Sequence, residues 1–146
     1  MPSLALSLDP TPIDLDTDDR TAALRALVDV AAARLDLDAE RLLAAVLERE
    51  KLLSTGFGGG AAMPHVRLQG AKRFGAVLGR ARRGVPFDAA DGEPVRLFLL
   101  VVGPESDREG YRKLMAHGAR FLKAEGPRLL EADDLAAALA QVLQEY

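Results

Sequence analysis

The stretch Ser54-Thr55-Gly56-Phe57-Gly58-Gly59-Gly60-Ala61-Ala62-Met63-Pro64-His65 is the part of this chain whose residue types best suit chemistry. It ends in one of only two histidines. A histidine of ordinary pKa presents a neutral, nucleophilic ring nitrogen at physiological pH. Glycines let backbone N–H groups come close to a bound anion. Together they suggest that His65 accepts a phosphoryl group inside a cradle of backbone donors, with Gly58 and Gly60 among the phosphate-binding positions. A surface loop that happens to contain a histidine would read the same way.

The neighbouring residues fit that chemistry. Pro64 has a fixed φ and no N–H, so it stiffens the backbone just before the nucleophile. Arg49 precedes the loop, and a guanidinium makes forked bonds to phosphate oxygens. A solvated arginine on a polar helix face is the alternative. Ser54 and Thr55 offer hydroxyl donors to phosphate, or bond nearby backbone as turn residues commonly do. Other chemistries are poorly served. No Gly-Lys-Ser/Thr follows the glycines, so they are not a nucleotide-binding P-loop. Ser54 has no recognisable triad. With two separated histidines and no cysteine, neither metal site nor disulfide is expected. No cofactor is required when a phosphoryl group moves between side chains.

At 146 residues, with 49% apolar and 28% charged side chains, the chain is long enough for a single domain, 1–146, with its own core. A net charge of −3 gives no reason to expect nucleic acid or an anionic membrane as partner. No apolar run approaches the ~20 residues that span a bilayer, and the acidic N-terminus is unlike a secretory signal. A cytoplasmic protein is the expectation.

Several elements must position the loop. Leu4–Leu8 reads as a short strand. A first helix is expected from Thr17 or Asp18 with acidic residues in its first turn, and a second from Asp38 to about Lys51. Residues 52–65 form the site loop. Phe74–Ala81 reads as a strand, Arg82-Arg83-Gly84 as a turn, and Asp91-Gly92 as a hairpin or loop. Val95–Val102 has the composition of a central strand buried on both faces. A helix from about Asp107 should break at Gly126-Pro127, and Asp133 should cap a last helix. Helices, then strands, then helices predict a three-layer α/β/α sandwich with a mixed central sheet.

Arg49-Glu50, Ser54-Thr55-Gly56-Phe57-Gly58 and Ala62-Met63-Pro64-His65 together resemble the active-site signature of the fructose/mannitol-type (type 2) EIIA domains of the phosphoenolpyruvate-dependent sugar phosphotransferase system, which include nitrogen-regulatory proteins. The likeness continues in Gly84-Val85-Pro86-Phe87-Asp88, in Asp91-Gly92-Glu93-Pro94-Val95 and in Leu114-Met115-Ala116, so it covers nearly the whole chain. It implies the same sandwich fold, with His65 as phosphoacceptor and Arg49 stabilising the phosphate. It also implies a histidine-phosphorylated carrier protein as donor and an EIIB component or a regulatory target as partner. The family's second histidine falls on Tyr111, which carries no positive charge. Val66 and Ala61 also depart from the usual text. His117 lies at the margin of the helix's apolar stripe and reads as a boundary residue. Two functions follow: phosphoryl transfer onward to EIIB for sugar uptake, or a regulatory switch of nitrogen, potassium or carbon metabolism with weakened transfer. The stand-alone length and the replacement at Tyr111 favour the second.

Overall fold

The computed structural model describes residues 3–52 and 55–145. Its centre is β6, Val95–Pro104. Leu97, Leu99 and Val101 point into one apolar cluster, Phe98, Leu100 and Val102 into another. This period-2 division is what a strand buried on both faces requires. Burying each such side chain contributes about 1.5–3 kcal/mol.

Around β6 the sheet is mixed. On one side β5, Gly75–Val85, runs antiparallel to it, and β1, Ile13–Asp14, adds in parallel at the outer edge. On the other side β3, Ala61–Ala62, and β4, His65–Leu68, follow each other along the same edge of β6, both parallel to it. Met63-Pro64 interrupts them, although the Pro64 carbonyl still accepts from the Val101 N–H at 2.9 Å. β2, Gly56–Gly58, pairs antiparallel with β3. Among the described residues six strand segments therefore fill five strand positions.

Helices cover both faces, as the three-layer expectation requires. α2, Arg20–Leu35, and α3, Ala39–Leu52, bury Leu24, Leu27, Val28, Leu42 and Val46 on the Phe98 side. α4, Arg108–Glu131, and α5, Leu135–Leu143, bury Leu114, Phe121, Leu129, Leu135 and Leu139 on the Leu99 side. Among the described residues no helix is long and apolar enough to cross a membrane.

Several element boundaries differ from expectation. Leu4–Ser7 is a single helical turn, α1, not a strand. Leu4 and Leu8 are both buried while Leu6 is 81% exposed; a strand would put all three on one face, whereas a helix brings together residues four apart and not those two apart. α2 begins two or three residues later than read, capped by the Asp19 carboxylate on the Ala22 N–H at 2.8 Å, with no acidic residue in its first turn. β5 continues through Arg82-Arg83-Gly84, where a register shift and a positive φ of 84° at Gly84 absorb the turn-forming text as a bulge. α4 does not stop at Gly126-Pro127. Pro127 is exposed, and the buried Leu122, Gly126 and Leu129 on either side keep the helix on its path, so tertiary packing outweighs the lost hydrogen bond. Asp134, rather than Asp133, caps α5, accepting from the Ala137 N–H at 3.1 Å.

Candidate functional site

His65 opens β4 directly after the Met63-Pro64 interruption, in register with Val101. Its ring is half-buried, and Nδ1 lies 2.7 Å from the Met63 carbonyl oxygen. A carbonyl can only accept, so Nδ1 carries the hydrogen and Nε2 keeps its lone pair. Burial holds the imidazole below its ordinary pKa of 6.5, and the positive charge of Arg49 acts in the same direction. The bond to Met63 and the negative charge of Glu50 oppose them. The result is a neutral imidazole of one tautomer with a nucleophilic Nε2.

Arg49, in the last turn of α3, is half-buried, and its field acts on both His65 and Tyr111. Tyr111, in the first turn of α4, meets His65 ring to ring, with centroids 6.2 Å apart and planes tilted by 51°. Burial raises the phenol's pKa well above its usual range, with Arg49 and Arg67 pulling weakly the other way. Tyr111 is thus a neutral ring beside His65. Its position depends on Gly103. A Cβ there would come within 2.8 Å of the Phe74 ring and 3.0 Å of Tyr111 Cδ1. Arg67 stands two residues beyond His65 on β4, hence on the same face, with its guanidinium carbon 5.7 Å from the Tyr111 ring centre. Beyond them a cleft of about 410 Å³ is lined by Arg67, Arg108, Glu109, Tyr111 and Arg112.

The structure separates the glycines from this cluster. The Gly60 carbonyl accepts from the N–H groups of Arg96 and Leu97 at 2.8 and 3.0 Å, whereas His65 sits opposite Val101. Four to five residues of β6 at ~3.3 Å each leave roughly 13–17 Å between them. Gly58, Gly59 and Gly60 have φ of 95°, 67° and 78°, and they make the turn from β2 to β3. The Gly59 N–H donates to Asp91 at 3.0 Å, which ties this turn to the 91–94 loop. Gly58 and Gly60, read from the sequence as phosphate-binding, thus answer to the left-handed backbone of the turn. They stand far from the ring.

Thr55 is linked to His65 through the Met63 backbone, but its side chain is otherwise engaged. Its hydroxyl and its N–H both donate to Glu50, the latter at 3.2 Å. Its hydroxyl hydrogen is therefore spent within the fold. Ser54 lies outside the described residues. His117 is half-buried on α4, turned about 120° around the helix from Tyr111. Sequence reasoning missed Glu50 and Arg67. Strand alternation from His65 points to Arg67. For Glu50 the sequence pointer is its place beside Arg49 in the family text, which attaches no role to it.

The model of the family described as "Phosphoenolpyruvate-dependent sugar phosphotransferase system, EIIA 2" matches residues 6–145. A nitrogen regulatory protein of Pseudomonas aeruginosa is 36% identical over 115 residues, spanning 78% of this chain and 75% of that protein. A phosphotransferase-system fructose-specific EIIA component of Haloferax volcanii is 32% identical over 118 residues, spanning 78% and 76%. Among solved structures, nitrogen regulatory protein IIA-Ntr from Neisseria meningitidis superposes with a TM-score of 0.87 at 24% identity, covering 96% of this chain and 98% of that one. Enzyme IIAMTL in complex with phosphorylated enzyme IIBMTL from Escherichia coli gives 0.72 at 19% identity, covering 96% and 95%. At these identities the structural matches speak for the shared fold.

Proposed function

We propose, from the premise that this chain belongs to the EIIA 2 family of the phosphoenolpyruvate-dependent sugar phosphotransferase system, that it accepts a phosphoryl group on Nε2 of His65. The observation that carries this reading is the bond between His65 Nδ1 and the Met63 carbonyl, which leaves Nε2 as the free nucleophile. The Nε2 lone pair attacks the phosphorus of a phosphohistidine on a carrier protein. The new N–P bond forms as the donor's N–P bond breaks, and the departing imidazole takes the electron pair. His65 keeps its Nδ1 hydrogen, and the developing imidazolium is steadied by the Met63 carbonyl. Arg49 meets the phosphoryl oxygens from α3 as a forked donor. Arg67 adds positive charge from β4, and Tyr111 packs the ring in place.

The phosphoryl group then passes to an EIIB component. Incubation with phosphoenolpyruvate, Enzyme I and the carrier protein, followed by intact mass measurement, tests the acceptor. One phosphate should be gained by the native chain and by His117→Ala, and none by His65→Ala. The reverse pattern overturns the assignment.

Tyr111 favours a second reading. A neutral ring beside His65 lacks the charge of a second histidine, which suits a switch whose phosphorylation sets partner binding. Adding a fructose-type EIIB to the phosphorylated chain separates the two. Rapid loss of the adduct supports transfer, and a persistent adduct supports the switch.

A further inference from the structure

The side chain of Glu50 is only 3% exposed, and nothing in the phosphoryl-transfer step uses it. A buried carboxylate is costly unless its oxygens are fully engaged. Here they are. One oxygen accepts from the Thr55 hydroxyl, the other from the Thr55 N–H at 3.2 Å and from Arg20 Nη2 at 3.1 Å. Arg20 belongs to α2 and also reaches Asp88 at 3.3 Å, so the carboxylate joins α2, α3 and the segment after it.

The bonds continue towards the nucleophile. With both its donors held by Glu50, Thr55 has little freedom to turn. Its carbonyl accepts from the Met63 N–H at 3.2 Å. The Met63 carbonyl in turn accepts from His65 Nδ1 at 2.7 Å. Pro64 lies between them with a fixed φ, and the peptide units are planar, so few torsions remain by which the Met63 carbonyl could swing away. Among the described residues no buried side-chain nitrogen or oxygen lacks a hydrogen-bond partner.

We infer that Glu50 is a positioning residue: through Thr55 and the Met63 backbone it holds His65 in the tautomer whose Nε2 is unprotonated and aimed outward. The inference rests on His65 being the acceptor. It extends the site to a group that never touches phosphate. It also gives Thr55 a role different from donating to the phosphoryl group.

The test reads the tautomer and the rate separately. ¹⁵N NMR of the full chain, above the pH at which His65 protonates, should show one bare Nε2 and one protonated Nδ1. Glu50→Met fills similar space but strands both Thr55 donors. Thr55→Val removes only the hydroxyl and leaves the Glu50–Arg20 pair intact. Both should mix the two tautomers and slow phosphorylation, Glu50→Met by about ten- to a hundred-fold, the scale of a small misplacement of a reacting group. Glu50→Gln still accepts from the Thr55 N–H while the Thr55 hydroxyl reverses to accept from the amide. It should restore the single tautomer and most of the rate, and Thr55→Ser should do the same. If Glu50→Met does not fold, Thr55→Val decides alone. Unmoved His65 nitrogen shifts in the disrupting variants overturn the inference, and so does a slower rate with unmoved shifts or moved shifts with an unchanged rate. A native chain that shows the single tautomer yet takes no phosphate refutes the proposed function instead.

Discussion

At the scale of single residues, the site is built around one imidazole kept neutral. Burial is the first cause, and it works against the charged form. His65 should therefore titrate below 6.5 in NMR, and the acid fall of the phosphorylation rate should have its midpoint below 6.5. A profile with its midpoint above 6.5 would contradict the burial argument. The sign for stability follows. The folded chain binds fewer protons at His65 than the unfolded chain between the two pKa values. The contribution is thus present above about 6.5 and lost as pH falls through and below that value. Arg49 belongs to the same scale. Arg49→Lys keeps the charge but loses the fork, and the loss of one hydrogen bond of ~1 kcal/mol should slow phosphorylation about fivefold. Single-turnover rates measure this, and an unchanged rate for both Arg49→Lys and Arg49→Ala would make Arg49 a bystander. Tyr111→Phe keeps the ring against His65 and should cost no more than Arg49→Lys.

At the scale of elements, the site depends on where strand and helix are allowed to touch. The first turn of α4 brings Tyr111 onto β6 at Gly103, where no side chain intervenes. Gly103→Ala would force the Phe74 and Tyr111 rings apart. Overpacking of this kind costs about 1–3 kcal/mol. The denaturation midpoint should fall by that amount, and the contact between the Tyr111 and His65 rings should loosen, visible as changed aromatic shifts in NMR. An unperturbed Tyr111 spectrum would show that the glycine is not what seats the ring. The same scale explains which element boundaries were legible. Asp107 caps its helix because a carboxylate accepts a free N–H two or three residues on, a local rule readable from sequence, whereas the same rule could not choose between the adjacent carboxylates of Asp133 and Asp134. The passage of α4 through Pro127 was not legible, because it depends on Leu129 finding its place in a core built by distant residues. The glycines misled for a related reason. Their text expresses a backbone needing positive φ, and that need serves a hairpin turn as well as a phosphate cradle.

At the scale of the whole molecule, Arg80 joins the far edge of the sheet to the end of α4. Its side chain is fully buried and donates to Asp14 at 3.0 Å and to the carbonyls of Leu129 and Ala132. Arg80→Ala should destabilise by about 3–5 kcal/mol, because a partnered buried charge leaves its acceptors stranded. Asp14 is 61% exposed, and Asp14→Asn should cost under about 1 kcal/mol. Urea denaturation of the two variants checks the contrast, and equal losses would put the weight on the ion pair rather than on the carbonyls. An arginine close to Arg82 and Arg83 would ordinarily be solvated, yet Arg80 is among the most buried side chains here. The difference marks the division for the whole protein. Local rules suffice for the family text ending in His65, for the four long helices, and for the doubly buried β6, because each depends on residue type and short-range period; the short strands β2, β3 and β4 and the helical turn α1 were not legible this way. Tertiary structure alone decided that the glycine turn pairs with β6 at Leu97 while His65 pairs at Val101, that the Tyr111 ring meets the His65 ring, and that Arg20 of α2 closes on the buried Glu50 carboxylate. Each of those placements is a contact between segments far apart in the chain, set by strand register and by which surfaces could be buried together.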